Sequence, residues 1–497
     1  MLYNMIIKNQ TQVVPGTIMY KLNWAEVETP VFRKFFLFNV TNKEEFLAQT
    51  PGNYVKPIFQ EIGPYVYREY LKKDNIEYQD YNSSVLQKVF YRQTATFFFV
   101  PELSNGTEDD IVTSLNIIVT LIPAVMEHVI PPGLLNTAYA VFNKLVRDTN
   151  SELLFTMTVG EYLFGFQDPL FTAILDKLFP EAESDIFGVF MLTNMSIGWR
   201  DYQVYTGKGD YKLTNEIVQF QNMSVLPYWF GETCNQINGT DGTMTAPFMN
   251  KEDRVYFYVD EMCRSIYATY QSEQEVHKIK GWRYNVPPDV FMSPANNEEN
   301  TCFCADLNHV TCQHDGGNLV SSCLFGAPLF VTFPHFLYAS DYYADKIVGM
   351  HPDEEKHQMY IIYEPTTGVV IDTESRIQLN LFMQPNSRAP VLNQIQEEFA
   401  FPMLWLNEVA TLQESDASWF YLLLYRLDEL VLLVEIVAIV VGSAFLGWAI
   451  GFPLYSKQRR KSQTSNQYAS DYAMSPEKKN RKPVAVRTIS TTQLVED

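Results

Sequence analysis

Cysteine is absent from most of this chain, because all six cysteines lie between Cys234 and Cys323. Such a cluster predicts a stapled region at 234–323, and an even count allows complete pairing while leaving the connectivity open. Disulfides form in oxidising compartments, so we expect this region outside the cytosol. Zinc coordination is the alternative, although a C-x-C pair is a poor start for a tetrahedral site. Its candidate ligands are Cys302, Cys304, His309, Cys312 and His314.

Common catalytic motifs are also missing. The sequence has no Gly-x-Ser-x-Gly elbow, no His-Glu-x-x-His pair and no phosphate-binding P-loop. The fragment 207–209, Gly-Lys-Gly, lacks the third glycine of a dinucleotide-binding pattern. His351 and His357 stand six residues apart in a predicted loop. We expect them on the surface rather than around a metal. The sequence therefore predicts neither an enzyme nor a bound metal or cofactor.

Basic residues are scarce, with 37 Lys and Arg against 58 Asp and Glu, for a net charge of −21. The last stretch, 456–497, holds nine basic and four acidic residues, so the rest of the chain carries 28 − 54 = −26. So acidic a body argues against a nucleic-acid partner. The basic final stretch suits anionic lipid at an inner membrane face. It is polar, with few large apolar residues, and is predicted to be disordered.

One long uncharged segment lies near the end of the chain. Ile436 to Leu454 spans 19 residues without a charge, close to the length that crosses a bilayer. Four basic residues follow between 457 and 461, which predicts a cytosolic C-terminus. We therefore expect a luminal or extracellular domain at 1–429, a transmembrane helix at 430–455 and a cytosolic tail at 456–497. Gly447 and Gly451 form a weak small-xxx-small pattern, which leaves a homo-oligomer open.

A signal peptide is not evident in the first residues, which are too short for an apolar core with its flanks. We therefore expect that a preceding membrane-targeting segment is missing from the sequence. Glycosylation sequons nevertheless agree with a luminal or extracellular location. They occur at Asn9, Asn39, Asn82, Asn105, Asn194, Asn222 and Asn238.

The hydrophobic pattern predicts an α+β protein dominated by antiparallel strands. The segment 376–381 alternates polar and apolar residues as a half-buried strand does. The segments 359–363 and 369–371 flank a Pro-Thr-Thr-Gly turn, so they predict a hairpin. Strands are also predicted at 85–100 and 255–258. The segment 111–147 instead has helical periodicity, broken at Pro123 and at 131–133. Its predicted apolar stripe contains Leu134, Leu135, Ala138, Val141, Phe142 and Leu145.

Several motifs in fixed order resemble the class B scavenger receptor family. The resemblance covers about residue 11 to the end of the predicted span, and it does not single out a member. It rests on Glu-Ile-Gly-Pro-Tyr-Val-Tyr-Arg at 61–68, Thr-Val-Gly-Glu at 158–161, Gly-Phe-Gln-Asp-Pro at 165–169, Cys-Asn-Gln-Ile-Asn-Gly-Thr at 234–240, Cys-Arg-Ser-Ile at 263–266, Cys-Phe-Cys at 302–304, Pro-His-Phe-Leu-Tyr-Ala at 334–339 and Glu-Pro-Thr-Thr-Gly at 364–368.

The resemblance implies a large antiparallel β-barrel-like ectodomain crossed by a hydrophobic tunnel, with an apical helical bundle at 111–150. It also implies a second, N-terminal span. Such receptors bind lipoproteins, anionic lipids or fatty acids and transfer lipid to the bilayer. A cargo receptor for a luminal protein in lysosomes is the alternative, and an adhesion receptor without lipid transfer is a third. The family pairing would give Cys234–Cys302, Cys263–Cys323 and Cys304–Cys312.

Location and ligand residues follow from the same reasoning. We expect the plasma membrane, with the lysosomal or endosomal membrane as the alternative. Lys144 and Arg147 are three residues apart on the polar side of a predicted helix, so they are neighbours. Basic residues on the apical helices capture anionic particles in some members of the family. We therefore predict Lys144 and Arg147 as ligand-binding residues, with two solvated charges as the alternative.

Overall fold

A computed structural model describes residues 2–20, 24–25, 29–50, 52–79, 86–178, 180–181, 184–190 and 195–473. The chain divides into two compact units, Met1–Arg426 and Leu427–Asp497. The first unit contains every strand of the described residues and all three disulfides. The candidate sites discussed below lie in this first unit.

Antiparallel strands build the first unit, as the period-two patterns predict. Thirteen strands form one sheet whose main path runs β10-β11-β12-β15-β16-β17-β1-β2-β3-β8-β9, while β13 and β14 pair beside β16. Two small hairpins, β4-β5 and β6-β7, stand apart from it. The strands are β1 (Val31–Val40), β2 (Phe59–Gln79), β3 (Lys88–Phe99), β4 (Ile111–Leu115), β5 (Leu154–Thr158), β6 (Phe166–Gln167), β7 (Ile186–Phe187), β8 (Met195–Tyr205), β9 (Ile217–Phe220), β10 (Val255–Val259), β11 (Arg264–Val276), β12 (Ile279–Asn285), β13 (Gly317–Leu319), β14 (Leu329–Thr332), β15 (Tyr360–Glu364), β16 (Val369–Met383) and β17 (Phe399–Thr411).

Helices occupy the connections between strands and the region after β17. They are α1 (Leu2–Gln10), α2 (Lys43–Leu47), α3 (Ile117–Val129), α4 (Pro132–Asp148), α5 (Val159–Phe164), α6 (Pro169–Leu178), α7 (Val310–Gln313), α8 (Asp341–Ala344), α9 (Glu354–His357), α10 (Glu414–Tyr421) and α11 (Leu427–Ala473). The α+β class is therefore confirmed. The predicted strands and the hairpin around 365–368 are confirmed as β3, β10, β15 and β16.

The expectation of a barrel is wrong, because the large sheet does not close. Strands β9 and β10 remain its two edges, and no ladder joins them in the described part of the chain. Both are short, and a loop lies between them. The Ile217 N–H donates to the Gly239 carbonyl (2.9 Å), and the Thr240 N–H donates to the Tyr256 carbonyl (3.3 Å). This loop takes backbone groups that a closing ladder would need.

The helical region also differs from its prediction. Residues 111–115 form β4, and Pro123 lies inside α3 without ending it. The Tyr139 hydroxyl lies 3.4 Å from the Pro123 carbonyl, and this contact ties α4 to α3. Leu134 and Val141, predicted in the apolar stripe, are exposed. The buried face of α4 instead contains Leu135, Tyr139, Phe142, Leu145 and Val146.

Helices α3, α4 and α6 pack against one another. Three helices therefore meet where the resemblance implies a bundle. Whether this cluster stands at the apex, away from the membrane, stays a prediction.

The second unit is a long helix. One apolar helix, Leu424–Gln467 by hydropathy, is long enough to cross a membrane among the described residues. Helix α11 continues to Ala473, and 474–497 lie outside the described residues. The disorder predicted for 456–497 stays a prediction. Between Ser456 and Ala473 the sequence has no glycine or proline, and its Lys, Arg, Gln and Ala residues favour helix propagation.

Candidate functional site

The first candidate is a cavity of about 530 Å³ beside α3, here called the α3 cavity. Its volume lies within the usual range for small-molecule sites. It opens between α3, the loop closed by Cys304–Cys312 and the segment after β16. Its apolar lining comes from Pro123, Ala124, Phe303, Leu319, Phe382, Met383 and Leu392, and its titratable lining from Glu127, Asp306, His309 and Arg388.

Hydrogen bonds fix the wall of the α3 cavity. The Glu127 carboxylate accepts from the Tyr139 hydroxyl at 2.7 Å and from the Arg388 guanidinium at 3.4 Å. The Asn386 amide donates to the same Tyr139 hydroxyl at 2.9 Å. These contacts tie the 384–392 segment to α3 and α4. Burial lowers the pKa of His309, so this imidazole is held neutral at the cavity wall.

The second candidate is a cavity of about 210 Å³ on the inner face of the sheet, here called the ionic cavity. Strands β1, β2, β3, β8, β10, β15, β16 and β17 all contribute to its lining. Its charged lining residues are Arg33, Glu69, Arg200, Asp241, Asp260, Glu261 and Glu408. The inner face at this level is therefore strongly polar, which the composition did not indicate.

Ion pairs hold the two arginines of the ionic cavity. Arg33 pairs with Glu69 at 3.0 Å and also with Glu408. Arg200 pairs with Asp260 at 2.6 Å and with Glu261 at 3.5 Å. Arg33 on β1 therefore links β2 and β17, and Arg200 on β8 links to the turn that follows β10, so each arginine joins segments far apart in sequence.

Burial governs the titration of this cluster. Burial raises the pKa of Glu69 to about 7, aided by Glu408 and Glu261, and Arg33 only partly offsets this. Burial also acts to raise the pKa of Asp241, but Lys73, 3.6 Å away, and hydrogen bonds from Thr243 and Tyr91 together outweigh it, and the pKa falls below its usual value. The cavity therefore contains carboxylates of different proton affinity.

An apolar stretch separates the two cavities along the sheet. Thr373 and Ser375 of β16 line the ionic cavity, whereas Phe382 and Met383 at the end of the same strand line the α3 cavity. Side chains two residues apart share one face of a strand. On this argument Ile377 and Leu379 continue the inner face from Ser375, and Leu406 and Leu404 continue it from Glu408. All four are buried: Ile377, Leu379, Leu404 and Leu406.

The cysteines are joined as the resemblance implies. The structure has the disulfides Cys234–Cys302, Cys263–Cys323 and Cys304–Cys312. The cysteines of the alternative zinc site are therefore all in disulfides. Arg264, next to Cys263, packs its guanidinium 3.3 Å from the ring centre of Phe303. This contact joins segments from two of the disulfides.

The predicted glycosylation sites differ in exposure. Asn9, Asn105, Asn222 and Asn238 are exposed, whereas Asn39 is half-buried on β1. The Asn39 side-chain oxygen accepts from the Thr113 N–H at 2.8 Å. Asn82 and Asn194 lie outside the described residues. Their modification stays a prediction.

The predicted ligand residues lie on the surface of α4. Both Lys144 and Arg147 are exposed, and Lys144 pairs with Asp148 one turn on. Lys177 of α6 lies near the same carboxylate: the Lys144 hydrogen bond, with the charges of Lys177 and Arg147, lowers the pKa of Asp148. Three cations thus surround one anion. We call Lys144, Arg147 and Lys177 the cationic face.

Lys177 was missed by the sequence reasoning, which considered one helix at a time. The packing of α4 against α6 is the structural signal that reveals it. Its role in binding a ligand, like that of Lys144 and Arg147, stays a prediction.

A histidine pair lies elsewhere, under the 333–358 segment. His351 is exposed as predicted, but His357 is buried and stacks on His335 with ring centres 4.5 Å apart. Burial and His335 lower the pKa of His357 to about 4. The His335 Nδ1 accepts a hydrogen bond from the His351 backbone N–H at 3.1 Å, so the proton of this imidazole is on Nε2. Nε2 lies 2.6 Å from Oε2 of Glu61. This cluster holds the segment against the sheet.

With the fold and cavities described, comparison with known proteins identifies the class. The family model of the CD36 family matches residues 1–452. Scavenger receptor class B member 1 of Rattus norvegicus is 30% identical over 460 residues, covering 91% of this chain and 84% of the relative. Lysosome membrane protein 2 of Homo sapiens is 30% identical over 399 residues, covering 80% of this chain and 78% of the relative.

The chain therefore belongs to the CD36 family, and the resemblance drawn from its motifs is confirmed. The scavenger receptor and the lysosome membrane protein are both 30% identical to this chain, so sequence identity alone does not assign the chain to either kind of protein. These relatives are named as receptors or membrane proteins rather than enzymes.

Proposed function

We propose that the protein is a scavenger-type membrane receptor that binds lipids or lipoprotein particles and transfers lipid to the bilayer through the sheet interior. The observation that carries the proposal is the arrangement of the inner face. A cavity of about 530 Å³ stands at one end of β16, and a second of about 210 Å³ stands at the other end of the same strand. The strand between them presents apolar side chains.

This arrangement suits a lipid for a simple energetic reason. The acyl chain of a lipid that moves through water keeps its apolar surface exposed, which costs about 0.8 kcal/mol per CH₂. The lining of the α3 cavity and the adjoining Ile377, Leu379, Leu404 and Leu406 offer an apolar path instead. These residues are packed in the present structure, so passage requires them to move apart.

Particle capture is assigned to a different surface in this proposal. The cationic face carries three basic residues against Asp148 on a unit that is otherwise strongly acidic. Such a local excess of positive charge attracts anionic particles over roughly a Debye length, about 8 Å at physiological salt. Capture and transfer would then be separable by mutation.

The test of this function is the lipid that the protein holds. The full-length protein is purified in detergent, and the lipid bound to it is extracted. The extracted lipid is then quantified by mass spectrometry against a mock purification. We expect about one lipid per chain. An extract indistinguishable from the mock preparation, from protein that is folded by thermal unfolding, would contradict the proposal.

A lysosomal cargo receptor is the second candidate, favoured by the similarity to lysosome membrane protein 2 of Homo sapiens. Under this alternative the cationic face would bind a luminal protein, and the receptor would reside in lysosomes rather than at the plasma membrane. Imaging of the full chain against plasma-membrane and lysosomal markers distinguishes them. We expect surface labelling, and an exclusively lysosomal pattern would favour the alternative.

A further inference from the structure

The ionic cavity has a charge balance that bears on which lipids it can hold. Five carboxylates line it, from Glu69, Asp241, Asp260, Glu261 and Glu408, against the two guanidiniums of Arg33 and Arg200. Lys73 lies behind Asp241 and neutralises that one carboxylate at 3.6 Å. Even with Lys73 included, the described lining has a formal excess of two negative charges.

The positive groups are already paired with carboxylates. Arg33 donates to Glu69 through two nitrogens, at 3.0 and 3.3 Å, and to Glu408. Arg200 donates to Asp260 at 2.6 Å and to Glu261 at 3.5 Å. Each arginine therefore lies between two carboxylates. An incoming carboxylate would therefore meet two like charges beside either guanidinium.

The acceptors, in contrast, are in excess. An ionised carboxylate offers about four lone-pair positions. Among the described residues, Glu261 and Glu408 each accept one side-chain hydrogen bond, in both cases from an arginine. The side chains of Glu408, Asp260 and Glu261 are 31%, 33% and 26% exposed, so their remaining lone pairs face the cavity. A ligand group that donates hydrogen bonds finds partners here.

The size of the cavity limits what can enter it. A volume of about 210 Å³ is below the roughly 300–1,000 Å³ of complete small-ligand sites. The adjoining inner face, from Ile377 to Leu379 and Leu406 to Leu404, is apolar. A lipid would therefore place its head group in the ionic cavity and its chain along the apolar stretch.

From these observations we infer that the ionic cavity selects lipids whose head group donates hydrogen bonds and carries no negative charge, such as a lipid alcohol or a lipid amine, and excludes free fatty acids. The inference rests on the proposed function, because a lipid must first reach the sheet interior. A carboxylate head group lacks a donor when ionised and is repelled by the excess of acidic side chains.

The experiment compares three photoactivatable C18 lipids that share one chain, bear a diazirine near the head group, and end in a carboxylic acid, an alcohol or an amine. Each is incubated at pH 7.5 with the full chain in detergent. Peptides that contain the lining residues of the ionic cavity are then quantified by mass spectrometry. We expect the alcohol and the amine to label these peptides at least about tenfold more than the acid. Repulsion from one uncompensated like charge a few ångströms away in a protein interior is enough to produce this ratio.

A charge-neutral variant separates selection from folding. Glu261→Gln with Glu408→Gln removes two carboxylates while keeping the shape. It should raise labelling by the acid several-fold and so lower the ratio of alcohol labelling to acid labelling. The matched control, Glu275→Gln, alters an exposed carboxylate outside the cavity and should change neither. Thermal unfolding of each variant confirms that the chain remains folded.

Two results would overturn the inference, and they are distinguishable. If the acid labels the cavity peptides of the wild-type chain as strongly as the alcohol, the head-group selection is wrong while the lipid-binding function stands. If none of the three lipids labels any inner-face peptide, the proposed function itself fails, and the inference with it.

Discussion

Arg33 and Glu69 form a two-point ion pair inside the sheet, with Nε to Oε2 at 3.0 Å and Nη2 to Oε1 at 3.3 Å. The two residues are neighbours on β1 and β2 and are both almost fully buried. Glu408 of β17 completes the group from the other side of β1. One guanidinium therefore joins three adjacent strands at the level of the ionic cavity.

Removing that guanidinium should be costly for the fold. Arg33→Met leaves Glu69 and Glu408 close together and uncompensated, and breaking a buried pair in this way typically costs about 3–5 kcal/mol. Thermal unfolding of the full chain should show a clear fall in transition temperature. Lys278→Met, at an exposed hairpin tip, is the control and should change little. A loss below about 1 kcal/mol for Arg33→Met would show that water already screens the cluster.

Stability should also depend on pH through Glu69. Its pKa in the folded protein is raised to about 7, above that of an ordinary glutamate. The folded state therefore binds this proton more tightly than the unfolded state does between about pH 4.5 and 7. The contribution of Glu69 to the free energy of unfolding is therefore most favourable below pH 4.5 and is lost as the pH rises to 7.

The check is a pH series of unfolding free energies for the wild type and Glu69→Gln. The variant stays neutral, so it should lack the decrease between pH 4.5 and 7. Parallel curves for the two proteins would mean that Arg33 keeps Glu69 ionised throughout this range.

The three disulfides should differ in their contribution to stability. Cys263–Cys323 spans 60 residues and Cys304–Cys312 spans 8. By the chain-entropy relation, loss of the first costs about 4 kcal/mol and loss of the second about 2.5 kcal/mol. Double Cys→Ser variants test this order by thermal unfolding and by arrival at the cell surface. We expect Cys263→Ser with Cys323→Ser to be retained in the secretory pathway, and a larger defect for the short loop would contradict the entropic argument.

Charge reversal on the cationic face should weaken capture of anionic particles. Lys144→Glu, Arg147→Glu and Lys177→Glu together change the local charge by six units without altering a buried residue. Binding of an anionic lipoprotein to cells should fall several-fold at low salt, and the difference should shrink as salt rises. Lys278→Glu is the matched control at a distant exposed lysine. Unchanged binding of the triple variant at low salt would place capture elsewhere.

Local patterns predicted the strands well, because alternation and turn residues act over a few positions. The hairpin at 365–368 and the strands β3, β10 and β16 follow from such patterns. The buried face of α4 could not be predicted from such a pattern. Leu134 and Val141 fit an apolar stripe, yet they are exposed, because packing against α3 and α6 buries a different face with Tyr139 at its centre. Periodicity alone does not determine which side of a helix meets its neighbours.

The polar interior was the feature least accessible from sequence. Arg33 and Glu408 are separated by 375 residues, and only the register of β1 against β17 brings them together. Lys177 joined the cationic face for a similar reason, through packing of α4 against α6. The open sheet edge arises from another long-range event, the insertion of the loop at Gly239 and Thr240 beside β9 and β10. Each depends on tertiary contacts that no local window contains.

The most direct test of the central claim, that lipid passes through the sheet interior, is the ratio of lipid uptake to particle binding in cells that express the full chain. Ala124→Trp fills the α3 cavity from a half-buried helical position, and Ala344→Trp places the same side chain at an exposed site outside both cavities. We predict that Ala124→Trp reduces uptake per bound particle several-fold with binding unchanged, while Ala344→Trp alters neither. Equal uptake per bound particle in wild type and Ala124→Trp, at matched surface expression, would contradict transfer through the interior.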